Sequence, residues 1–150
     1  NVNTCEKISL LKQRSNNKNF ILLAPSISFA KDCSVELNPS QIEYLESIWP
    51  GHVTVILQAN NSIDSSLKAL DNSIGIRVSG HLPIIDLLNS FNSLMVSTSA
   101  NISKDPTSNS LAEVKKIFND PDVAVYAHDN GNALKPSSII DLKSMEYIRE

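Results

Sequence analysis

Cysteine is scarce in this chain and is not arranged to build a metal site or a disulfide framework. Only Cys5 and Cys33 occur among the 150 residues, and no Cys-x-x-Cys pair is present. Structural zinc sites and disulfide scaffolds need larger, closely spaced sets of such residues. The sequence therefore excludes both classes, and its thiol usage is typical of a reducing compartment, so we expect a cytoplasmic protein.

Long apolar runs and a strong excess of one charge are absent as well. No stretch approaches the roughly 20 apolar residues that span a bilayer, which predicts no membrane partner. The chain has 13 Lys and Arg against 16 Asp and Glu, a net charge of −3. A strongly basic nucleic-acid binder is excluded, so any RNA contact has to come from a local patch. With 41% hydrophobic and 19% charged residues, the composition is that of one ordinary folded domain.

Motifs for several common chemistries are also missing. No Gly-x-Ser-x-Gly elbow is present, and no segment has the glycines and lysine of a P-loop. His52, His81 and His128 are scattered without ligand spacing, so we expect no metal site on them. A covalent nucleophile is not evident either, which favours catalysis by positioning and electrostatics.

Apolar periodicity and capping residues predict helices that alternate with strands. The predicted helices lie at about 4–13 behind an Asn3 N-cap, after Pro25, from Asn38-Pro39 to Ile48, from Pro83 to Phe91, and behind a Ser110-x-x-Glu113 capping box. The predicted strands are Phe20–Ala24, Val53–Leu57, Ile74–Val78, Leu94–Val96, Val123–Ala127, Ser138–Leu142 and Met145–Arg149. Such interleaving predicts an α/β or α+β fold with helices covering a sheet.

Three short segments are candidate parts of one site: Lys12–Arg14, Trp49–Gly51 and Ser97–Asn101. The last is five small residues directly after an apolar run. A loop of small residues at a strand end can leave backbone N–H groups open and wrap an anion. The first segment supplies two cations, although cations are also favoured at any helix C-terminus, and a tryptophan behind a helical stripe is often core. Together the segments predict phosphate or nucleotide chemistry.

The order of the motifs resembles the YrdC/TsaC family of threonylcarbamoyl-AMP synthases. The matching segments are Leu10–Arg14, Ile48–Leu57, Ile74–Val78, Leu94–Ile102, Pro136–Leu142 and Tyr147–Arg149. The resemblance covers essentially the whole chain and implies one YrdC-like domain over residues 1–150, with a twisted mixed β-sheet and flanking helices. The family's opening strand and its Pro-Thr-Asp-Thr-x-Tyr-Gly-Leu motif have no counterpart here, so we expect an N-terminally truncated domain that lacks its first strand.

The resemblance implies an L-threonylcarbamoyladenylate synthase, which is a nucleotidyltransferase. L-Threonine, bicarbonate and ATP, with Mg²⁺, would give threonylcarbamoyl-AMP and pyrophosphate. The product would serve the threonylcarbamoylation of adenosine beside the anticodon of tRNA, through a downstream threonylcarbamoyl-transferase complex. The implied catalytic residues are Lys12, Arg14, Ser99 and Asn101. The implied ATP-binding residues are Arg14, Lys18, Ser73, Ser99, Thr107 and Arg149, and those for threonine or bicarbonate are Arg77, Ser97 and Ser137.

Two other functions stay open at this point. One is a carbamoyl-adenylate-forming domain of hydrogenase maturation, which resembles this family but sits in a much longer chain with an acylphosphatase part and zinc-finger motifs. The other is a non-catalytic module that binds double-stranded RNA, which the net charge of −3 disfavours. These residues alone do not decide which substrate is taken.

Overall fold

The computed structural model describes residues 2–15, 19–108, 110–129, 131, 133 and 135–150. Its contacts divide the chain into two compact units. One unit comprises Asn1–Lys18 and Thr98–Ala133, and the other comprises Asn19–Ser97 and Leu134–Glu150. The assignment of residues 1–150 to a single domain stays a prediction. No helix in the described part of the chain is long and apolar enough to cross a membrane.

Five α-helices are found in the described ranges, together with a 3₁₀ turn at Ser65–Leu67. The helices are α1 (Val2–Leu11), α2 (Ile27–Asp32), α3 (Pro39–Ile48), α4 (Leu82–Phe91) and α5 (Leu111–Ile117). The strands are β1 (Ile21–Ala24), β2 (Val53–Gln58), β3 (Ser73–Val78), β4 (Met95–Ser97), β5 (Ser138–Asp141) and β6 (Glu146–Arg149).

All six strands form one mixed sheet in the second unit, in the order β4-β1-β3-β2-β5-β6. The pairs β1–β3 and β2–β5 are parallel, and the other neighbours are antiparallel. The central strands are nearly continuous apolar runs, and Leu22, Val55 and Ile76 are completely buried. Such continuous apolar runs are typical of strands that are covered on both faces. The predicted mixed sheet with accompanying helices is therefore confirmed.

Helix α3 shows how local sequence places the Trp-Pro-Gly segment. The Asn38 side chain accepts from the Gln41 backbone N–H at 2.9 Å, and the Gln41 side chain accepts from the Asn38 backbone N–H at 3.0 Å. This capping box and Pro39 in the first turn confirm the predicted start. The helix ends at Ile48, and the following Trp49–Pro50 peptide is cis.

The turn after α3 is tied to β3 through backbone groups of Gly51. The Gly51 N–H donates to the Val78 carbonyl at 2.8 Å, and the Gly51 carbonyl accepts from Arg77 Nε at 3.0 Å. Trp49 is 3% exposed and its indole N–H donates to the Val53 carbonyl at 2.8 Å. Trp49 is therefore a satisfied core residue, and the turn it precedes fixes one nitrogen of the Arg77 guanidinium.

In the first unit, α1 ends in a Schellman motif that reverses the chain between Lys12 and Arg14. Gln13 has a left-handed φ of 48°. The Arg14 N–H bonds the Ser9 carbonyl at 2.9 Å, and the Gln13 N–H bonds the Leu10 carbonyl at 3.0 Å. These two bonds satisfy carbonyls at the helix end, at the cost of about 1 kcal/mol for a non-glycine residue in this conformation. Lys12 is consequently the C-cap, and Arg14 lies on the reversed chain.

Two predictions about local structure are wrong. The predicted N-cap at Asn3 falls inside α1, which begins at Val2, since capping signals locate a helix end only to within a residue or two. Residues 123–127 form no strand. Val125 and Tyr126 are 43% and 50% exposed, so this run has β-propensity without a buried face, and propensity alone does not make a strand.

The predicted N-cap of α5 is confirmed, but the predicted capping box is wrong. Ser110 is the N-cap, and its hydroxyl accepts from the Glu113 N–H at 3.4 Å. The Glu113 carboxylate does not return to the Ser110 backbone as the predicted capping box requires. It accepts instead from the Ser108 hydroxyl, whose oxygen accepts from the Ser110 N–H at 3.0 Å. A serine relay thus completes the cap.

Candidate functional site

The ammonium of Lys12 is held by a loop of small residues, Thr98–Asn101, which we call the Ser99 loop. Lys12 Nζ donates to the Ser99 carbonyl and to the Asn101 carbonyl, the latter at 2.5 Å. Its distance to Asn101 Oδ1 is 3.4 Å, and it lies 5.9 Å from the centre of the Phe118 ring. Lys12 is only 5% exposed. Lys12, which the sequence predicts to face an anion, therefore binds carbonyl groups of the Ser99 loop and holds the loop in place.

Hydrogen bonds within the Ser99 loop and to its neighbours fix its shape. The Ser99 hydroxyl donates to Asn101 Oδ1 at 2.5 Å, and Asn101 Nδ2 donates to the Asp105 carbonyl at 2.5 Å. The Ser103 N–H donates to the Lys12 carbonyl at 2.8 Å. Both the backbone and the side chain of Lys12 are thus joined to this segment. The Asn101 side chain connects Ser99 to the Asp105 carbonyl.

Backbone donors of the loop point to what it could bind. Within the described ranges, no group accepts a hydrogen bond from the N–H of Ser99 or of Ala100. Successive backbone N–H groups beside a cation are the elements of an anion-binding nest. The loop therefore offers donors to an anion even though the Ser99 hydroxyl is engaged with Asn101.

Arg14 brings a second cation to the same loop. Its Nη1 lies 3.4 Å from the Thr98 hydroxyl. Burial lowers the pKa of Arg14, and burial followed by repulsion from Arg14 lowers the pKa of Lys12. Two cations that already repel each other gain most from a nearby anion, because the anion relieves both the repulsion and the desolvation. The structure thus brings Lys12 and Arg14 into contact with the loop that contains Ser99 and Asn101.

An open cavity of about 1000 Å³ lies in the same unit. Its walls include Ala100 of the Ser99 loop, Phe118 beside Lys12, and the Tyr126–His128 ring pair, whose centroids are 4.3 Å apart. Cavities of this size accommodate small organic ligands. Among the residues that the structure describes, none of the site residues predicted from the sequence lines it.

In the sheet unit, Ser137 and Arg149 are in direct contact. Arg149 Nε and Nη2 donate to the Ser137 carbonyl at 2.9 and 2.6 Å. The Ser137 hydroxyl lies 2.9 Å from Thr54 Oγ1, and His52 Nε2 lies 2.9 Å from the Lys135 carbonyl. The segment before β5 is therefore fixed by the side chains of His52, just before β2, of Thr54 in β2 and of Arg149 in β6.

Ser73, another predicted residue of this unit, lies apart from the contact between Ser137 and Arg149. Ser73 pairs with Gln58 at one end of β2, whereas Ser138 pairs with Val53 at the other; a strand of this length separates them by ~16 Å. The Ser73 hydroxyl donates to Asp71 at 2.7 Å, and the two Ser73 hydrogen bonds lower the pKa of that carboxyl. The structure therefore does not bring Ser73 to Ser137 and Arg149.

Of the four remaining predicted residues, the structure describes Ser97, Arg77 and Thr107. Ser97 is the last residue of β4 and pairs with Ile21. Burial lowers the pKa of Arg77, whose Nε is bound to the Gly51 carbonyl as described above. Thr107 is exposed in the first unit, and Lys18 lies outside the described residues. No cluster of three or more potential metal ligands occurs in the described ranges.

Sequence reasoning missed Thr54 and the hydrogen-bonding role of His52. Thr54 is completely buried in β2 between aliphatic residues. A hydroxyl inside an otherwise apolar strand is the signal that could have identified it, since buried polar groups need partners. Its partner, Ser137, lies 83 positions away in sequence. For that reason spacing could not reveal the pair.

The sheet and the lysine-held loop define an α/β protein with a mixed sheet and a cationic loop site. The sequence model of the Sua5/YciO/YrdC family, described as "Telomere recombination", matches residues 1–150. The chain is 31% identical over 152 residues to the threonylcarbamoyl-AMP synthase of Vibrio parahaemolyticus, covering 100% of this chain and 82% of that protein. The chain belongs to the Sua5/YciO/YrdC family.

Solved structures agree with this assignment at the level of the fold. E. coli YciO superposes with a TM-score of 0.85 at 24% identity, over 99% of this chain and 73% of that one. P. abyssi Sua5 complexed with L-threonine superposes with a TM-score of 0.77 at 21% identity. That match covers 94% of this chain and 42% of the Sua5 chain.

Proposed function

We propose that this protein condenses L-threonine, bicarbonate and ATP into threonylcarbamoyl-AMP, pyrophosphate and water. Membership in the family and a relative of that activity at 31% identity support the reaction class. The structural observation that supports it most is the arrangement of Lys12 and Arg14 at the Ser99 loop. ATP is the substrate as its magnesium complex, and Mg²⁺ needs no dedicated protein cage.

The proposed reaction brings three anionic groups together: a carboxylated threonine, the α-phosphate and the departing pyrophosphate. Charge on phosphoryl oxygens is stabilised best by donors and cations that are already in place. In the proposed roles, Arg14 grips phosphate oxygens through its planar fork, whereas Lys12 keeps the loop N–H groups aimed outward and adds a fixed positive charge. Asn101 preserves the loop shape that this requires.

The other proposed contacts follow the family assignment. Ser99, Thr107, Lys18, Ser73 and Arg149 belong to the proposed ATP site, and Arg77, Ser97 and Ser137 to the site for threonine and bicarbonate. The location of Ser73 at the far end of β3 makes it the weakest member of this set. Delivery of the product to tRNA through a threonylcarbamoyl-transferase complex, and a cytoplasmic location, belong to the same proposal.

Replacing Arg14 with Ala should weaken the binding of ATP by about 1.5–3 kcal/mol, the contribution of a hydrogen bond to a charged group. The reason is that Arg14 has a half-buried planar fork close to the Ser99 loop. Arg14→Lys, which keeps the charge but loses the planar fork, should recover only part of the affinity. Isothermal titration calorimetry with Mg-ATP measures both variants. Unchanged affinity in Arg14→Ala would remove this residue from the site.

The reaction is tested by pyrophosphate release from the purified protein. All three substrates should be required, so omission of either threonine or bicarbonate should abolish release. Release that depends on carbamoyl phosphate instead would support the hydrogenase-maturation alternative, which the relatives' activity does not favour. No adenylate under either condition, together with tight binding of duplex RNA, would support the binding module.

A further inference from the structure

Thr54 is placed to control the hydroxyl of Ser137. Thr54 is completely buried, and its Oγ1 lies 2.9 Å from Ser137 Oγ. Across the described residues, the Thr54 hydroxyl makes this one hydrogen bond. Ser137, which directly precedes β5, is 6% exposed. Thr54 is therefore sealed in the sheet, whereas Ser137 is not completely buried.

The direction of this hydrogen bond follows from the donors around it. Arg149 Nη2 lies 3.4 Å from Ser137 Oγ, and a guanidinium N–H can only donate. If Ser137 donated to Thr54, the proton of the completely buried Thr54 hydroxyl would have no acceptor. A buried donor without a partner costs free energy, so this arrangement is the less stable one. If Thr54 donates, its proton is satisfied. In that arrangement the Ser137 oxygen accepts from both sides, and its own proton is left to donate elsewhere.

Two further contacts keep the segment in this position. Arg149 donates twice to the Ser137 carbonyl, and His52 bonds the Lys135 carbonyl. The backbone is thus fixed independently of Thr54. Loss of the Thr54 hydroxyl would change the direction of the Ser137 proton rather than the course of the chain.

We propose that Thr54 is a positioning residue that makes Ser137 an obligate hydrogen-bond donor toward a carboxylate-type oxygen of the substrate. The ligand oxygen is an acceptor without a proton, as in the threonine carboxylate or in bicarbonate. This inference rests on the proposed function, because it specifies how the threonine and bicarbonate side of that site recognises its ligand. It adds a residue that touches no substrate and acts only through Ser137.

The test compares Thr54→Val, Thr54→Ser, Ser137→Ala and the Thr54→Val/Ser137→Ala double variant. Initial rates of pyrophosphate release are measured while threonine, bicarbonate and ATP are varied in turn. Thr54→Val should raise KM for threonine or for bicarbonate by about fivefold, the value of one hydrogen bond, with KM for ATP unchanged. The substrate whose KM rises identifies the oxygen. Thr54→Ser should behave as the parent protein, and the double variant should match Ser137→Ala alone.

Each other outcome contradicts the inference in a recognisable way. A fall in kcat with all three KM values unchanged, or an effect in the double variant that exceeds Ser137→Ala alone, would make Thr54 merely structural. If Thr54→Val does not fold, a Ser137→Ala variant with normal KM values for threonine and bicarbonate overturns the proposal by itself. A parent protein that releases no pyrophosphate contradicts the proposed function as well, and is thereby distinguished from failure of Thr54 alone.

Discussion

Lys12→Met should lower turnover by about 100-fold, the effect of removing one preorganised donor from a charge-stabilising site. The substitution keeps an unbranched apolar stem and deletes the ammonium that binds the Ser99 and Asn101 carbonyls. Two carbonyl oxygens that converge on one buried position then lose their shared donor. We expect the loop to open and its N–H groups to lose their alignment. Pyrophosphate release at saturating substrates measures the loss.

Lys7→Met is the matched control for this substitution. Lys7 lies on the same helix and forms ion pairs with Asp120 and Asp122 at the surface. Exposed pairs contribute little to stability, so this variant should keep its turnover within about twofold. Lys12→Met with turnover near that of Lys7→Met would show that the ammonium does not organise a catalytic loop.

Gly51→Ala should destabilise the protein by about 2–3 kcal/mol, the upper range for forcing an extra carbon into a packed site. A Cβ at Gly51 would lie 2.3 Å from the Ile48 carbonyl oxygen, which belongs to the backbone of α3 and cannot turn aside. Relief of that clash has to move the turn. Movement of the turn breaks the bonds to Val78 and Arg77.

Urea unfolding followed by Trp49 fluorescence measures this effect locally, because Trp49 is the one tryptophan of the chain and lies two residues from the substitution. Gly80→Ala is the control, since a Cβ there would meet its nearest neighbour, Pro50, at an ordinary 3.8 Å. It should change the free energy of unfolding by less than about 1 kcal/mol. Equal stability of the two variants would contradict the steric account.

Much of the fold could be predicted because its local signals agree with its packing. The Asn38–Gln41 capping box starts α3 where expected, and the buried apolar strands lie within a residue or two of their predicted bounds. The run at 123–127 has equal β-propensity and fails, since a strand also needs a partner and a covered face. Pairing order and register are set by contacts distant in sequence, which periodicity does not encode.

The candidate site could be predicted in its residues but not in their contacts. Cations at the end of α1 and a small-residue loop after β4 are visible in the sequence. That the Lys12 ammonium turns to loop carbonyls rests on contacts 87 and 89 positions apart in sequence. The placement of Arg14 depends on the left-handed Gln13, a conformation that glycine, not glutamine, normally signals. The Thr54–Ser137 and Arg149–Ser137 contacts join separate strands, so only the sheet pairing reveals them.

Incorporation of isotopically labelled bicarbonate into an adenylate would show whether this protein forms threonylcarbamoyl-AMP. The protein is incubated with Mg-ATP, L-threonine and labelled bicarbonate, and the products are separated and analysed by mass spectrometry. We predict an AMP derivative that carries both threonine and the labelled carbon, in amounts equal to the pyrophosphate released. Pyrophosphate without such a product, or an adenylate that carries threonine but no label, would contradict the account.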